Sequence, residues 1–100
     1  MLTCGLFARL EAKPGKEQDV KRFLETALTL ATQEATTPIW FALQLGPTTF
    51  GVFDAFADET DRQAHLRGPI AQTLMAQAPN LFATPPSIEA LDVLGAKLPQ

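Results

Sequence analysis

Residues 2–12 alternate. Leu2, Cys4, Leu6, Ala8, Leu10 and Ala12 fall on one side, and Thr3, Gly5, Phe7, Arg9 and Glu11 on the other. A period of two predicts a strand with one apolar face. Lys13-Pro14-Gly15-Lys16 then turns the chain. Over residues 16–35 the period changes: Val20, Phe23, Leu24, Ala27, Leu28 and Ala31 recur at spacings of three and four, which predicts an amphipathic helix. Thr36-Thr37-Pro38 ends it, because the residue before a proline avoids helical geometry.

Residues 39–46 alternate Ile39, Phe41, Leu43 and Leu45, and predict a second strand. Gly46-Pro47-Thr48 connects it to a third over 49–56. There Phe50, Val52, Asp54 and Phe56 share one face, and Gly51, Phe53 and Ala55 the other. Asp58 is placed to cap a helix running to about Arg67, with Asp61 in the first turn where the helix dipole favours an acid. Gly68-Pro69 breaks that helix and opens another to about Ala78, since proline suits a first helical position. Residues 79–86 are expected as a loop and 87–98 as a last strand.

The order is β-α-β-β-α-β. Its compact solution is an α+β, ferredoxin-like domain over residues 1–100: a four-stranded antiparallel sheet with the helices on one face. That leaves one sheet face uncovered. Yet Asp54 is the sole charge on the third strand, and Trp40, Phe53 and Phe7 fall opposite the main apolar sets. A solvated face would be polar, so an aromatic one predicts a partner surface, read here as a homodimer packed sheet to sheet.

Composition narrows the field. Charged residues are 19% of the 100-residue chain and apolar ones 46%, a globular balance. The net charge of −3 arises after residue 35, where three bases meet six acids. There is no Lys/Arg cluster, so neither nucleic acid nor a membrane surface is an expected partner. One cysteine, Cys4, excludes an internal disulfide, and one Cys with one His excludes an ordinary structural zinc site. No signal peptide or membrane span is evident, and the expected location is the cytoplasm.

Two stretches carry a family likeness: ARLEAKPGKEQDVKRFL near the start, and FGVFDAFADETDRQAHLRGPIAQTL in the second half. With Asp54-Ala55-Phe56 at a strand end and Ala64-His65-Leu66 in the following helix, the chain resembles the antibiotic biosynthesis monooxygenase superfamily over nearly its whole length. The resemblance implies a dimeric α+β barrel. It also implies a cofactor-independent monooxygenase of quinol-like or polyketide aromatics, with molecular oxygen as co-substrate. Two departures stand out. Phe56 occupies a position where enzymatic members often carry Trp. The haem-degrading branch needs an Asn, a Trp and a ligating His on the later helix; this chain offers only Asn80, its Trp40 is on a different strand and His65 sits earlier, so haem is not expected.

Such chemistry needs an apolar cavity and a base for a phenolic proton. His65, the single histidine, titrates near neutrality, and Asp61 one turn earlier is placed to orient it. The plainer reading is an exposed helix histidine. Asp54 is the sharper anomaly, a carboxylate among Phe50, Val52 and Phe56. Buried there, it must be paired, hydrogen-bonded or protonated. It is either a pocket carboxylate or a structural partner for Arg9 or backbone amides. Phe56, Trp40, Phe53 and Phe41 would suit a flat aromatic ligand, and Arg9 a substrate oxyanion. Packing and solvation are the alternatives for each. The opposing function class is a non-catalytic dimeric domain that binds a small hydrophobic ligand or only assembles.

Overall fold

The computed structural model describes residues 1–99. Strand β1 is Cys4–Glu11, followed by helix α1 (Glu17–Ala31), strands β2 (Ile39–Gln44) and β3 (Thr49–Phe56), helices α2 (Glu59–Leu66) and α3 (Pro69–Leu81), and strand β4 (Ser87–Asp92). The four strands form one antiparallel sheet in the order β2-β3-β1-β4. The fold is the α+β, ferredoxin-like arrangement that the pattern predicts. Among the described residues, no helix is long and apolar enough to cross a membrane.

The register sorts every strand position to a face. Leu6 and Trp40 both pair with Asp54, Ala8 and Ala42 with Val52, and Leu10 and Gln44 with Phe50. These share the helix-covered face. The core grows from it: Leu10, Phe50, Val20, Leu24, Leu81 and Phe82 form one buried cluster. In α1 the buried residues Val20, Leu24, Ala27 and Ala31 keep the three-and-four spacing. Asp58 accepts the Asp61 N–H at 2.9 Å and starts α2. Gly68 and Pro69 start α3 as expected.

The strands β1 and β2 are a few residues shorter than expected, and three other boundaries differ with a structural reason. Helix α1 stops at Ala31, and residues 32–38 form a turned connection to β2. Helix α3 runs through Pro79 to Leu81, further than the expected end near Ala78. Pro79 lacks only its own N–H, and its carbonyl accepts from Lys13 Nζ at 2.6 Å. Strand β4 ends at Asp92 because its partner β1 begins at Cys4, opposite Asp92. Residues 93–98 lie outside the sheet.

One facial assignment is reversed. On β2 the set Ile39, Phe41 and Leu43 faces away from the helices, and Trp40 faces them. Trp40 packs beside Ala27, Ala31 and Ile70. The apolar set that alternation picks out on β2 thus lies on the uncovered face rather than against the helices. The uncovered face keeps Phe7, Phe53 and Phe41. Phe41 and Phe53 stack there with ring centroids 6.4 Å apart.

Candidate active site

His65 stands on the last turn of α2 with its ring turned into the domain, and is only 6% exposed. Its two ring nitrogens meet two different acids. Nε2 lies 3.0 Å from Asp54 Oδ2 on β3. Nδ1 lies 2.9 Å from Glu34 Oε1, in the connection between α1 and β2. The Thr37 hydroxyl donates to the same Glu34 oxygen at 2.9 Å. The ring of Phe56 tilts against the imidazole at a centroid distance of 5.3 Å. These groups therefore come from one strand, one connection and one helix, gathered by the fold rather than by sequence proximity.

The electrostatics follow from this sandwich. Burial pushes the Asp54 pKa up, and the hydrogen bond with His65 only partly offsets it. Burial works against a charged His65, but the hydrogen bonds to Asp54 and Glu34 outweigh it, so its pKa lies above the ordinary value. Only the imidazolium has an N–H on both nitrogens. It is therefore the form that satisfies both acids at once. The three groups do not converge as metal ligands would, since the ring lies between the acids. Among the described residues no group of three or more His, Cys, Asp or Glu side chains is arranged to hold a metal.

One space adjoins this cluster, and a second lies beyond it. A small, partly open cavity of about 50 Å³ is lined by Asp54, His65, Trp40, Leu6, Val52 and Ile70 among others. An open groove of about 570 Å³ runs between α1 and β2, past Lys21, Leu28, Trp40, Phe41 and Gln44. Leu24 and Trp40 line both. Three buried polar atoms near His65 have no protein partner: Asp54 Oδ1, Glu34 Oε2 and Trp40 Nε1. Two are acceptors and one is a donor. Asp54 and Trp40 line the inner cavity, and an acceptor with a donor there suits a hydroxyl group or water; Glu34 Oε2 lies on the other side of the ring, toward Gly68.

The predicted site residues separate into two groups. His65, Asp54, Phe56 and Trp40 come together on the helix side, and Phe41 lines the outer groove. Phe53 and Arg9 do not join them. Both belong to the opposite sheet face, where Arg9 is exposed and its guanidinium lies 6.0 Å from the Phe7 ring centroid. Arg9 therefore cannot be the partner of Asp54, which turns to the other side of the sheet. Asp61 is not the partner of His65 either; that place belongs to Glu34. Both ring nitrogens of His65 are engaged by acids. Glu34 and Thr37 escaped the sequence reading. They sit in a non-periodic connection, and the only signal there is an acid three residues before a threonine.

No family model and no curated protein matches the chain. Solved structures do. The NE2512 protein of unknown function from Nitrosomonas europaea is 58% identical with a TM-score of 0.96, covering 100% of this chain and 97% of that one. A second Nitrosomonas europaea structure, described as a candidate antibiotic biosynthesis monooxygenase, is 18% identical with a TM-score of 0.81, covering 92% and 90%. A Caulobacter crescentus structure with the same description is 16% identical with a TM-score of 0.81, covering 94% and 92%. At such identities the last two establish shared fold alone.

Proposed function

The chain belongs to the family of the Nitrosomonas europaea NE2512 protein and has the fold of the antibiotic biosynthesis monooxygenases, and from that premise we propose that it is a cofactor-independent monooxygenase of quinol-like or polyketide aromatics. One observation carries this reading. Asp54 is buried beside an inner cavity, has one oxygen bound to His65, and keeps the other without a well-formed hydrogen bond, with the Leu6 backbone N–H near its carboxyl group.

The chemistry then runs through that free oxygen. A phenolic hydroxyl gives its proton to Asp54 Oδ1, and the adjacent imidazolium stabilises the charged acid beforehand. The substrate anion passes one electron to dioxygen, and the two radicals combine into a peroxide at a ring carbon. The stored proton returns to the peroxide. Loss of the hydrogen on that carbon then releases water and leaves a carbonyl. One oxygen atom enters the substrate, the other leaves as water, and the substrate is the sole reductant. The ring occupies the outer groove, whose volume of about 570 Å³ is in the usual range for ligand sites. For its hydroxyl to meet Asp54, the Leu24 and Trp40 side chains, which line both spaces, must turn aside. A homodimer through the face of Phe7, Phe41 and Phe53 belongs to the same reading.

A second reading has its own support. The inner cavity, at about 50 Å³, admits a hydroxyl or a diatomic molecule but not a ring. This favours a non-catalytic dimeric domain that binds a small ligand in the outer groove. Oxygen uptake with reduced quinones and anthrones, corrected for autoxidation, separates the two. The monooxygenase reading expects protein-dependent uptake that falls at least tenfold in Asp54→Asn, about 1.4 kcal/mol of barrier. No uptake above blank across the panel leaves the binding domain. Sedimentation of the 10.8 kDa chain as a monomer would remove the dimer.

A further inference from the structure

We propose that Glu34 is a positioning residue: it holds the His65 ring so that Nε2–H stays on Asp54 Oδ2, leaving Asp54 Oδ1 as the acceptor that faces a ligand. The inference deepens the monooxygenase reading and rests on it for its catalytic meaning, but its geometry stands alone.

Three observations converge. The first is the bond itself. Glu34 Oε1 lies 2.9 Å from His65 Nδ1, across 31 residues of sequence, on the nitrogen opposite Asp54. A flipped imidazole would put carbon atoms against both acids, so two acids on the two nitrogens fix one ring orientation. The second is that Glu34 is itself held. The Thr37 hydroxyl donates to Oε1 at 2.9 Å, and the Thr37 N–H donates to the Glu34 carbonyl at 3.2 Å, closing a turn. Thr37 is buried. An exposed acid that happened to drift near a histidine would have no such holder. The third is the proton inventory. A neutral imidazole has one N–H and cannot donate to both acids. The doubly protonated ring is the form that donates to both carboxylates, and the hydrogen bonds to both raise the His65 pKa.

The charged groups that bear on the ring are Asp54 from β3 and Glu34 from the α1–β2 connection. Thr37 adds a neutral hydroxyl 3.4 Å from Nδ1, and Phe56 an aromatic face. Glu34 is also the outermost of the three groups: its side chain is 16% exposed, against 7% for His65 and 4% for Asp54. It joins the buried pair to the protein surface. Its second oxygen lies 3.7 Å from where a Cβ on Gly68 would stand, so the acid fills the space beside the α2–α3 break.

The test uses the whole chain with ¹⁵N-labelled His65, read by NMR across a pH series, in wild type, Glu34→Gln and Asp54→Asn. Gln keeps the size and the acceptor but loses the charge. The proposal expects the wild-type ring to keep both protons through neutrality. Glu34→Gln should shift the midpoint down by at least one pH unit, and its neutral ring should carry the proton on Nε2, facing Asp54. A wild-type ring that titrates as a free histidine, or a Glu34→Gln midpoint equal to the wild type, overturns it. If Glu34→Gln does not fold, Glu34→Asp serves: it keeps the charge and loses the reach, and the same downward shift is expected. The readout needs no substrate, so it stands or falls separately from oxygen uptake. Where uptake is found, Glu34→Gln should shift the pH profile of kcat and leave KM unchanged; a change confined to KM would count against the positioning role.

Discussion

Trp40 and Asp54 are direct cross-strand partners on the helix-covered face of the sheet. Each carries a buried polar atom that no protein group meets, Nε1 and Oδ1 respectively. One is a donor and the other an acceptor, and both side chains line the inner cavity. An unmet buried donor costs about 1–3 kcal/mol. Trp40→Phe removes that donor together with the pyrrole part of the indole, so donor relief and lost packing oppose each other and the stability of the empty protein should change by less than about 1 kcal/mol. Urea unfolding reads this directly. A loss of about 2 kcal/mol or more would mean that Nε1 is already satisfied, and that the pair is no ligand site.

The imidazolium between two acids makes a second demand. Removing one member of a buried ion pair leaves an uncompensated charge and a void. His65→Ala should therefore lower the unfolding free energy by about 3 kcal/mol near neutral pH. A loss under about 1 kcal/mol would indicate that the two acids find other partners, and the cluster would then have no structural weight.

Stability should fall as the solution becomes alkaline. The folded His65 binds its proton more tightly than its ordinary value of 6.5 implies. Between that value and the raised one, the native state holds more protons than the unfolded state, so stability declines with rising pH. The contribution is complete below pH 6.5 and is lost as pH rises through the folded value. Asp54, raised by burial, acts with the same sign at lower pH. Thermal melts from about pH 6 to about pH 9 should show a falling Tm in wild type and a flatter line in His65→Ala. Equal slopes would locate the titration elsewhere.

Gly5 guards the backbone of Asp54. A Cβ there would lie 2.5 Å from the Asp54 carbonyl oxygen and 3.0 Å from Leu91 Cδ1. The leucine can turn aside, but the carbonyl belongs to the β1–β3 ladder and cannot move without the strands parting. Gly5→Ala should cost about 2 kcal/mol and lower the Tm by roughly 10 °C. It should also disturb the His65 resonances, because Asp54 moves with its backbone. An unchanged melt would show that the strands separate easily at that point.

Much of the fold was written in local pattern. Alternation marked β1 and β3, three-and-four spacing marked α1, and Asp58 and Gly68-Pro69 placed the starts of α2 and α3. Asp54 announced itself, since a carboxylate among Phe50, Val52 and Phe56 on one strand face needs a reason. These signals are local: strand alternation and helical spacing act over a few residues. The tertiary structure decided what local periods cannot reach. On β2 both faces are apolar, so alternation was ambiguous, and packing against Ala27, Ala31 and Ile70 turned Trp40 inward. For His65 the helical rule offered Asp61 one turn away. The partners are instead Asp54 and Glu34, from a strand and a non-periodic connection. Their meeting depends on how α2 docks on the sheet and where the α1–β2 chain returns, and that is fixed by burial of the whole core rather than by any short run of residues.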